Sequence, residues 1–422
     1  MRPGLIVVSK KIAAALIIVL GCALPCAFAK ILPVGPGERF AEITPAVAAA
    51  HAFDTLLVKK ATYREHTIII NKPLWVMGEG MPVIDARNKE ADIFIIMSDS
   101  VFIEGFVLSN VGVSYLNEYA AVKVRKGRNG VVRNNTIKDC YFGIYLEYAR
   151  DYIISNNDIV AHTKDESSAG NAIHVWKANN IEIAYNSATG HRDGIYFEFV
   201  DDSKIHHNVS FNNLRYGLHF MFSNRDGYFF NEFTDNGAGV AVMFSKQIRM
   251  EENLFANNWG TASYGLLLKE ISDGEIHKNR FIQNTIGILA EGANRLSIQR
   301  NQFTQNGTAL DMKGNCLDNK VTHNNFLANT FEVVTNSKYN NNEYNSNYWS
   351  LYSGYDLDRD GFGDLPYRPV NLFAKITNEI PSASIMLHSF FVNILELSER
   401  IFPEIIPEEL VDKKPRMRPY IL

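Results

Sequence analysis

The sequence predicts an all-β fold, a right-handed parallel β-helix whose rungs stack on a repeat of about 22 residues. Two observations predict it. An asparagine followed two residues later by a mostly apolar position recurs from Asn135 to Asn324, at intervals of 22, 29, 22, 23, 22, 26, 22 and 23 residues. After most of these asparagines comes a short glycine-led strand that alternates inward and outward positions, as at residues 143–147 and 194–198.

The alternation separates inward from outward side chains, because successive residues of a strand point to opposite faces. We predict two inward ladders, which no single rung can bury alone, so the rungs must stack. One ladder is Ile144, Ile173, Ile195, Leu218, Val240, Leu266, Ile288 and Leu310; the other is Leu146, Val175, Phe197, Phe220, Val242, Leu268, Ala290 and Met312.

The asparagine column is interpreted as a turn feature of the fold. Asparagine tolerates the left-handed backbone conformation, and stacked side-chain amides can hydrogen-bond to one another and to the turn backbone. The two long intervals contain polar insertions at residues 163–169 and 259–263, and insertions are tolerated at the loops of a solenoid.

Residues 1–29 are predicted to be a signal peptide. Arg2, Lys10 and Lys11 precede a short apolar run, and Ala27-Phe28-Ala29 supplies the small residues of a cleavage site. Export is therefore expected. Removing the segment moves the formal net charge from −4 to −7, since it carries those three basic residues and no acidic one. An acidic mature chain argues against nucleic acid as a partner.

The mature chain divides into three further segments. Residues 30–350 are predicted to form the β-helix, with an amphipathic helix over 40–53 capping its N-terminal end. Residues 351–380 are an Asp-rich segment after the helix. Residues 381–422 form a mostly helical or irregular tail, which either caps the other end or docks on a partner.

Two cysteines, Cys140 and Cys316, remain after the signal peptide is removed. They lie about seven repeats apart, and at about 4.8 Å per rung they are too distant for a disulfide, whose Cα atoms must lie within about 7 Å. We expect packing, and not disulfide bonds, to hold the exported fold together.

The outward faces of the glycine-led strands hold the residues best suited to chemistry. Met221 and Met243 occupy one column in neighbouring rungs, about 4.8 Å apart at the backbone. His219 lies two residues before Met221 on the same face. Thioether and imidazole donors without carboxylate crowding favour a soft ion, above all Cu(I). We therefore predict an exposed copper site made of Met221, Met243 and His219, with His174 as a further candidate.

Two other interpretations of this face stay open. In the first, the methionines and the adjacent phenylalanines at 222 and 244 form an apolar patch that another segment or a partner covers. In the second, Tyr145, Trp176 and Tyr196 form a sugar platform with Glu147 and Glu198. Two rungs separate these carboxylates, so their backbones lie about 10 Å apart, at the upper edge of the spacing in inverting glycosidases.

A third candidate site follows the repeats. Asp356, Asp358, Asp360 and Asp364 occupy positions 1, 3, 5 and 9 of a loop with glycine at position 6, the first part of an EF-hand-type pattern. Hard oxygen donors around a sharp turn favour calcium. Position 12 is Tyr367, so the bidentate glutamate is missing. The alternative is an Asp-rich turn that closes the solenoid without metal.

Residues 345–369 read Asn-Ser-Asn-Tyr-Trp-Ser-Leu-Tyr-Ser-Gly-Tyr-Asp-Leu-Asp-Arg-Asp-Gly-Phe-Gly-Asp-Leu-Pro-Tyr-Arg-Pro. This segment resembles the one that follows the β-helix in the NosD family. The similarity continues through the asparagine-marked rungs, the Gly-Glu-Gly turn at 78–80 with residues 82–85, and the tail at 410–419, so it covers nearly the whole mature chain.

The resemblance implies a periplasmic, non-enzymatic accessory protein of nitrous oxide reductase. NosD proteins work with an ABC transporter made of an ATPase and a membrane permease, support assembly of the copper–sulfur centre, and receive copper from a lipoprotein chaperone. Contact with the membrane would then be made only through the permease. We expect the basic, proline-rich tail with Lys413, Lys414, Arg416 and Arg418 to dock there. The resemblance carries no catalytic residue onto this chain.

Overall fold

Three parallel sheets run along the molecule in the computed structural model, which describes residues 29–337, 341–370, 372–387, 389–401 and 410–421. Each rung contributes one strand to each sheet, in the order sheet 1, sheet 2, sheet 3, and strands pair in parallel with those of the rungs on either side. The predicted right-handed parallel β-helix is confirmed. The predicted signal peptide lies outside the described residues except for Ala29.

The strands are numbered in chain order. Sheet 1 has 14 strands: β1 (Ile31–Val34), β2 (Thr55–Val58), β5 (Trp75–Gly78), β8 (Phe102–Glu104), β11 (Val131–Arg133), β14 (Arg150–Ser155), β17 (Asn179–Ala184), β20 (Lys204–His206), β23 (Gly227–Phe229), β26 (Arg249–Glu251), β29 (Glu275–His277), β32 (Ser297–Gln299), β35 (Lys320–Thr322) and β38 (Glu343–Asn345). Sheet 2 has 13: β3 (Thr62–Tyr63), β6 (Val83–Lys89), β9 (Val107–Val111), β12 (Thr136–Lys138), β15 (Asp158–Val160), β18 (Ser187–Thr189), β21 (Val209–Phe211), β24 (Glu232–Thr234), β27 (Leu254–Ala256), β30 (Arg280–Ile282), β33 (Gln302–Thr304), β36 (Asn325–Leu327) and β39 (Tyr348–Trp349).

Sheet 3 has 12 strands, and the candidate copper ligands lie on it. They are β4 (Ile68–Ile70), β7 (Phe94–Ile96), β10 (Ala120–Arg125), β13 (Phe142–Glu147), β16 (Ile173–Trp176), β19 (Asp193–Glu198), β22 (Tyr216–Met221), β25 (Ala238–Met243), β28 (Leu266–Lys269), β31 (Ile286–Glu291), β34 (Thr308–Met312) and β37 (Phe331–Val334). The described helices are α1 (Ile43–Ala49), α2 (Leu372–Glu379) and α3 (Phe390–Ile401), with 3₁₀ turns at Glu166–Ser168 and Pro381–Met386.

The inward ladders pack as predicted. Register pairs join Ile144 to Ile173 and Leu146 to Val175, and all members of both ladders are buried. Glycine opens many of these strands because the next rung lies too close for a side chain: a Cβ at Gly239 would clash with the carbonyl oxygen of Gly265. A third inward column stacks aromatic rings at centroid spacings of 4.1 to 5.6 Å, through Phe233, Phe255, Phe281, Phe303, Phe326 and Trp349.

The asparagine column is a continuous buried hydrogen-bonded ladder. At each step the backbone N–H and the side-chain Nδ2 of one asparagine donate to Oδ1 of the next, as from Asn231 to Asn253 at 3.0 Å for both bonds. The left-handed backbone belongs to the preceding residue, for example Phe230 with φ 55° and Glu252 with φ 56°. Our assignment of that conformation to the asparagine itself was wrong by one position, since its amide must point inward to reach the next rung.

A second asparagine ladder, at the turn between sheets 2 and 3, was not predicted. It runs through Asn213, Asn236, Asn258, Asn284, Asn306 and Asn329, with the same bonds to Oδ1 of the next asparagine, except that Asn236 donates to Asn258 through its backbone N–H alone. Each member follows a member of the first ladder by five residues, as Asn236 follows Asn231. That fixed offset was the signal in the sequence.

The N-terminal cap is smaller than predicted. Helix α1 spans seven residues and not the whole of 40–53, and it buries Ile43, Ala46 and Val47 against the first rungs. The chain turns out of the helix because Ala50 is already extended and Phe53 adopts φ 68°. The Lys72 ammonium donates to the Ala50 carbonyl at 2.8 Å, which satisfies a backbone acceptor at the helix end.

The described part of the tail, 410–421, folds back onto the last rungs. Its key residue is Asp412, which is fully buried and takes the place of the next ladder asparagine after Asn347. Its carboxylate accepts five hydrogen bonds, from Ser346 N, Asn347 N and Nδ2, Trp349 Nε1 and Lys414 N, at 2.9 to 3.1 Å. A carboxylate only accepts, so it ends a ladder whose every member donates to the next. This part of the tail is a cap.

Helix α2 lies inside the predicted Asp-rich segment at 351–380, and it packs beside β37 through buried Phe373 and Ala374. Helix α3 follows and contacts α2. None of the helices in the described ranges has the length and apolar character needed to cross a membrane. Cys140 and Cys316 are separate buried thiols, as expected from their spacing.

Candidate metal centre

The candidate site lies in a notch on the outer face of sheet 3. Most described turns from sheet 2 to sheet 3 have three or four residues, but those at 112–119, 161–172 and 257–265 are longer. The last two include the predicted insertions. Between them lie three rungs with short turns, and we call the outer face of their strands β19, β22 and β25 the notch.

The two methionines are neighbours on this face. Met221 and Met243 are direct register partners in β22 and β25, so the predicted shared column is correct. Both are half-buried, so the prediction that they are exposed was wrong. The Tyr196 hydroxyl lies 3.6 Å from Met221 Sδ, and Met243 packs against a cluster that contains Tyr216 and Leu267. The surrounding rings leave each thioether partly accessible.

His219 lies deeper than the methionines. It is 3% exposed, and its ring is flanked by the rings of Tyr196 and Tyr216 at centroid distances of 4.9 and 4.7 Å. Neither ring nitrogen has a hydrogen-bond partner among the described residues. A buried imidazole without partners is costly unless something else binds it.

A carboxylate accompanies this histidine, contrary to the prediction. Asp193 Oδ2 lies 3.7 Å from His219 Nδ1, and Asp193 is fully buried. Sequence reasoning missed Asp193 because it stands between Arg192 and Gly194 at a rung corner, where aspartate is usually a turn residue. Only the register that aligns Asp193 with Tyr216 reveals that it faces the site.

His174 is in the predicted column but lies apart from His219. Register places Tyr196 between them, so their backbones are two rungs, or about 10 Å, apart. Burial, reinforced by Arg192 and Lys123, lowers the pKa of His174 to about 3, and its Nδ1 lies 3.0 Å from Asn171 Nδ2. His174 is thus a neutral, hydrogen-bonded ring that does not share one ion with His219.

A tyrosine of the 257–265 turn lies over the outer face of sheet 3. The Tyr264 hydroxyl, from the 257–265 turn, lies 3.2 Å from the Tyr216 hydroxyl. Burial and the hydrogen bond to Tyr216 raise the pKa of Tyr264. The Arg215 guanidinium stacks over the Tyr216 ring at 4.7 Å. These groups close one side of the notch over Ala238 and Ala241.

The predicted apolar patch divides into two parts. The methionines face the notch, whereas the phenylalanines occupy the next turn, in left-handed conformations, and are exposed. Phe199, Phe222 and Phe244 stack there in nearly parallel pairs at 5.1 and 5.0 Å. They form an outer rim and do not cover the methionines.

In the predicted sugar platform, the two carboxylates lie where the sequence placed them, but one of the three aromatic rings is buried. Register confirms that Trp176 separates Glu147 from Glu198, so the two acids are two rungs apart. Tyr145, however, is buried, with its ring against His174 at 4.4 Å. The platform therefore offers fewer accessible ring faces than the sequence suggested.

The Asp-rich loop brings three of its four carboxylates together. Asp356, Asp358 and Asp360 each place an oxygen within 4.8 Å of the others. Asp364 instead accepts the Leu357 N–H at 2.7 Å, which closes the loop. Calcium binding at this loop stays a prediction.

The comparison with family models finds two matches. A family described as "Periplasmic copper-binding protein (NosD)" matches residues 158–354, which include the notch, and a model for a right-handed β-helix region matches residues 84–166. Two curated proteins, each named "Probable ABC transporter binding protein NosD", are similar. The one from Pseudomonas aeruginosa is 26% identical over 83% of this chain and 85% of its own length. The one from Stutzerimonas stutzeri is 24% identical over 83% and 84%.

Among solved structures, the likeness concerns the fold alone. The Yersinia enterocolitica family 28 exopolygalacturonase matches 75% of this chain and 78% of its own at 7% identity, with a TM-score of 0.54. The Azotobacter vinelandii mannuronan C-5 epimerase AlgE6 A-module matches 71% and 92% at 13% identity, with a TM-score of 0.52. The Dettilon tailspike protein matches 68% and 62% at 12% identity, with a TM-score of 0.55.

Proposed function

The chain belongs to the NosD family, and from this membership we propose that it acts in the periplasm as a copper-handling and partner-binding platform. It works with an ABC transporter and supports assembly of the copper–sulfur centre of nitrous oxide reductase, without catalysing a reaction itself. Copper is its cargo, received from a lipoprotein chaperone. The observation that carries the proposal is the methionine pair in neighbouring rungs, beside a buried histidine whose nitrogens are unpartnered.

The donor set fits Cu(I). Thioether sulfur and imidazole nitrogen are soft or borderline donors, which monovalent copper prefers over carboxylate and carbonyl oxygen. Met221 and Met243 are partly accessible, so an ion can enter from the notch without unfolding a rung. A thioether has no acidic proton and forms no disulfide, whereas a cysteine thiol can be oxidised to a disulfide in an oxidising compartment. The arrangement suits transient binding.

Copper titration tests the site. We expect the mature protein to bind one Cu(I) under reducing conditions, and Met221→Leu with Met243→Leu to weaken binding at least tenfold, because leucine keeps the volume and removes the donor sulfurs. Met97→Leu is the matched control, since Met97 is an exposed methionine far from the notch. If the wild-type protein binds no Cu(I), the direct site fails, although the platform role does not.

We propose a partner surface other than the tail. One of the four basic residues of the tail is engaged within the chain: the Arg416 guanidinium stacks between Phe362 and Tyr420, at 5.2 and 4.8 Å, whereas Lys413, Lys414 and Arg418 are exposed. The 3₁₀ turn at Pro381–Met386 and helix α3 instead carry an exposed apolar surface, with Ile385 at 89% and Phe390 at 78% exposure, and Phe391, Ile394 and Leu397 also exposed. Surfaces of this kind mark interaction sites. We place the contact with the permease on this surface.

Co-purification with the permease tests this placement. Phe390→Glu with Leu397→Glu is expected to abolish the complex, because two charges would have to be buried at an apolar contact. Lys413→Glu in the tail, an exposed position, is the control and should leave the complex intact. If Lys413→Glu abolished the complex and Phe390→Glu with Leu397→Glu did not, the tail would be the docking site.

A further inference from the structure

We propose that Asp193 is a copper ligand: with His219 it forms a nitrogen–oxygen donor pair, beside the thioether pair, that holds copper in its oxidised form, Cu(II). The inference deepens the proposed copper site and rests on it. It adds a ligand that the sequence did not indicate, and a second oxidation state of the cargo.

The first argument is burial without partners. Asp193 is fully buried, and its Oδ1 accepts the Tyr216 N–H at 3.2 Å, but its Oδ2 has no hydrogen-bond partner among the described residues. The same holds for both ring nitrogens of His219. Each such group costs about 1–3 kcal/mol when left unsatisfied. Two of these three atoms, Asp193 Oδ2 and His219 Nδ1, lie beside each other, and unpartnered polar atoms that adjoin in this way are typical of a site that a ligand completes.

The second argument is the spacing. Asp193 Oδ2 and His219 Nδ1 are 3.7 Å apart, which is too long for a hydrogen bond. Two ligand atoms that each lie about 2.0 to 2.2 Å from one metal ion can be separated by up to about 4 Å. The pair is therefore set for an ion between the two atoms better than for direct contact. The neighbouring Arg192 Nε, 4.0 Å from the same oxygen, is not close enough to satisfy it either.

The third argument is the chemistry of the two donor pairs. Imidazole and carboxylate suit Cu(II), whereas thioethers suit Cu(I). His219 lies next to both, since it is two residues from Met221 and 3.7 Å from Asp193. The same notch would thus bind either Cu(I) or Cu(II). Binding either ion requires no electron transfer by the protein.

The test compares the two oxidation states on the mature chain. With one equivalent of Cu(II), the wild-type protein should give an electron paramagnetic resonance spectrum of nitrogen and oxygen ligation. Asp193→Asn should weaken Cu(II) binding at least tenfold while changing Cu(I) affinity less than threefold. Asparagine keeps the shape and the bond from Tyr216 N. Met221→Leu with Met243→Leu should do the reverse.

Asp226→Asn is the matched control. Asp226 is also buried, accepts one backbone N–H, from Ser203 at 2.7 Å, and has an unpartnered Oδ2, but it lies at another turn without a histidine. It should leave both affinities unchanged. The resonance spectrum of the wild-type protein gives a reading even if a variant folds poorly.

The outcomes separate the two ideas. Unchanged Cu(II) affinity in Asp193→Asn, or a wild-type spectrum without imidazole nitrogen, overturns this inference and leaves Cu(I) binding by the methionines intact. A wild-type protein that binds Cu(II) but no Cu(I) would overturn the methionine site and leave the Asp193–His219 pair standing. Equal weakening by Asp193→Asn and Asp226→Asn would mean a folding effect and would also overturn the inference.

Discussion

The molecule buries polar side chains in two places, and the two differ in how well they are satisfied. In the ladder from Asn135 to Asp412, the described amides bond to the next rung and to backbone carbonyls, and the series ends on a carboxylate that accepts five bonds. In the notch, Asp193 and His219 are as deeply buried but leave three polar atoms without partners. The satisfied network stabilises the fold, whereas the unsatisfied one is kept in spite of its cost.

The largest effect is expected at the end of the ladder. Asp412→Ala leaves the Trp349 indole N–H and the Asn347 amide donors buried without an acceptor, so we expect the C-terminal rungs to lose about 3–5 kcal/mol of stability. Hydrogen exchange of the amides at 343–349 measures it, because a solenoid frays from its ends and one global midpoint would average the loss.

Lys414→Ala is the control for that change. Lys414 bonds to Asp412 only through its backbone N–H, which the substitution keeps, so exchange should stay as in the wild-type protein. If Asp412→Ala left exchange at 343–349 unaltered, the tail would not be a cap, and its proposed docking role would return.

A smaller effect, of opposite sign in the two regions, is expected from single substitutions inside each network. Asn253→Ala removes bonds to Asn231, Asn279 and the Tyr228 carbonyl, and should cost about 2–3 kcal/mol. His219→Leu removes two unsatisfied nitrogens among aromatic rings, and should leave the free energy of unfolding unchanged or raise it by up to about 1 kcal/mol.

Urea unfolding of both variants, without added copper, makes this comparison. If His219→Leu destabilised the protein as much as Asn253→Ala, the proposed difference between the ladder and the notch would be wrong. His219 would then be a structural residue with partners that the fold supplies. If copper stabilised the wild-type protein but not His219→Leu, the role of His219 in copper binding would be supported, since a ligand stabilises only the state that binds it.

The ladders were readable in the sequence because they follow one repeat. Each rung contains the same turn, so asparagine recurs at that turn at a nearly regular spacing, as at Asn231, Asn253 and Asn279. The alternation that places Ile144 inward and Tyr145 outward is equally local. Even the ladder that was missed, at Asn236, could have been found from a constant offset.

The notch was only partly readable. The column shared by Met221 and Met243 follows from the repeat, because a strand's period fixes which side chains stack. Whether that column is exposed does not follow from it, since the long turns at 161–172 and 257–265 and the rings of Tyr196 and Tyr216 decide the coverage.

The sequence by itself determined the β-helix, its inward ladders and the candidate methionine pair, because periodic side chains carry their own register. Only the tertiary structure decided that Asp193 faces His219 and that Asp412 ends the asparagine ladder. These contacts join a rung corner to a strand, or a tail to a rung more than 60 residues earlier. Such distances depend on how the chain closes on itself, which no repeat in the sequence encodes.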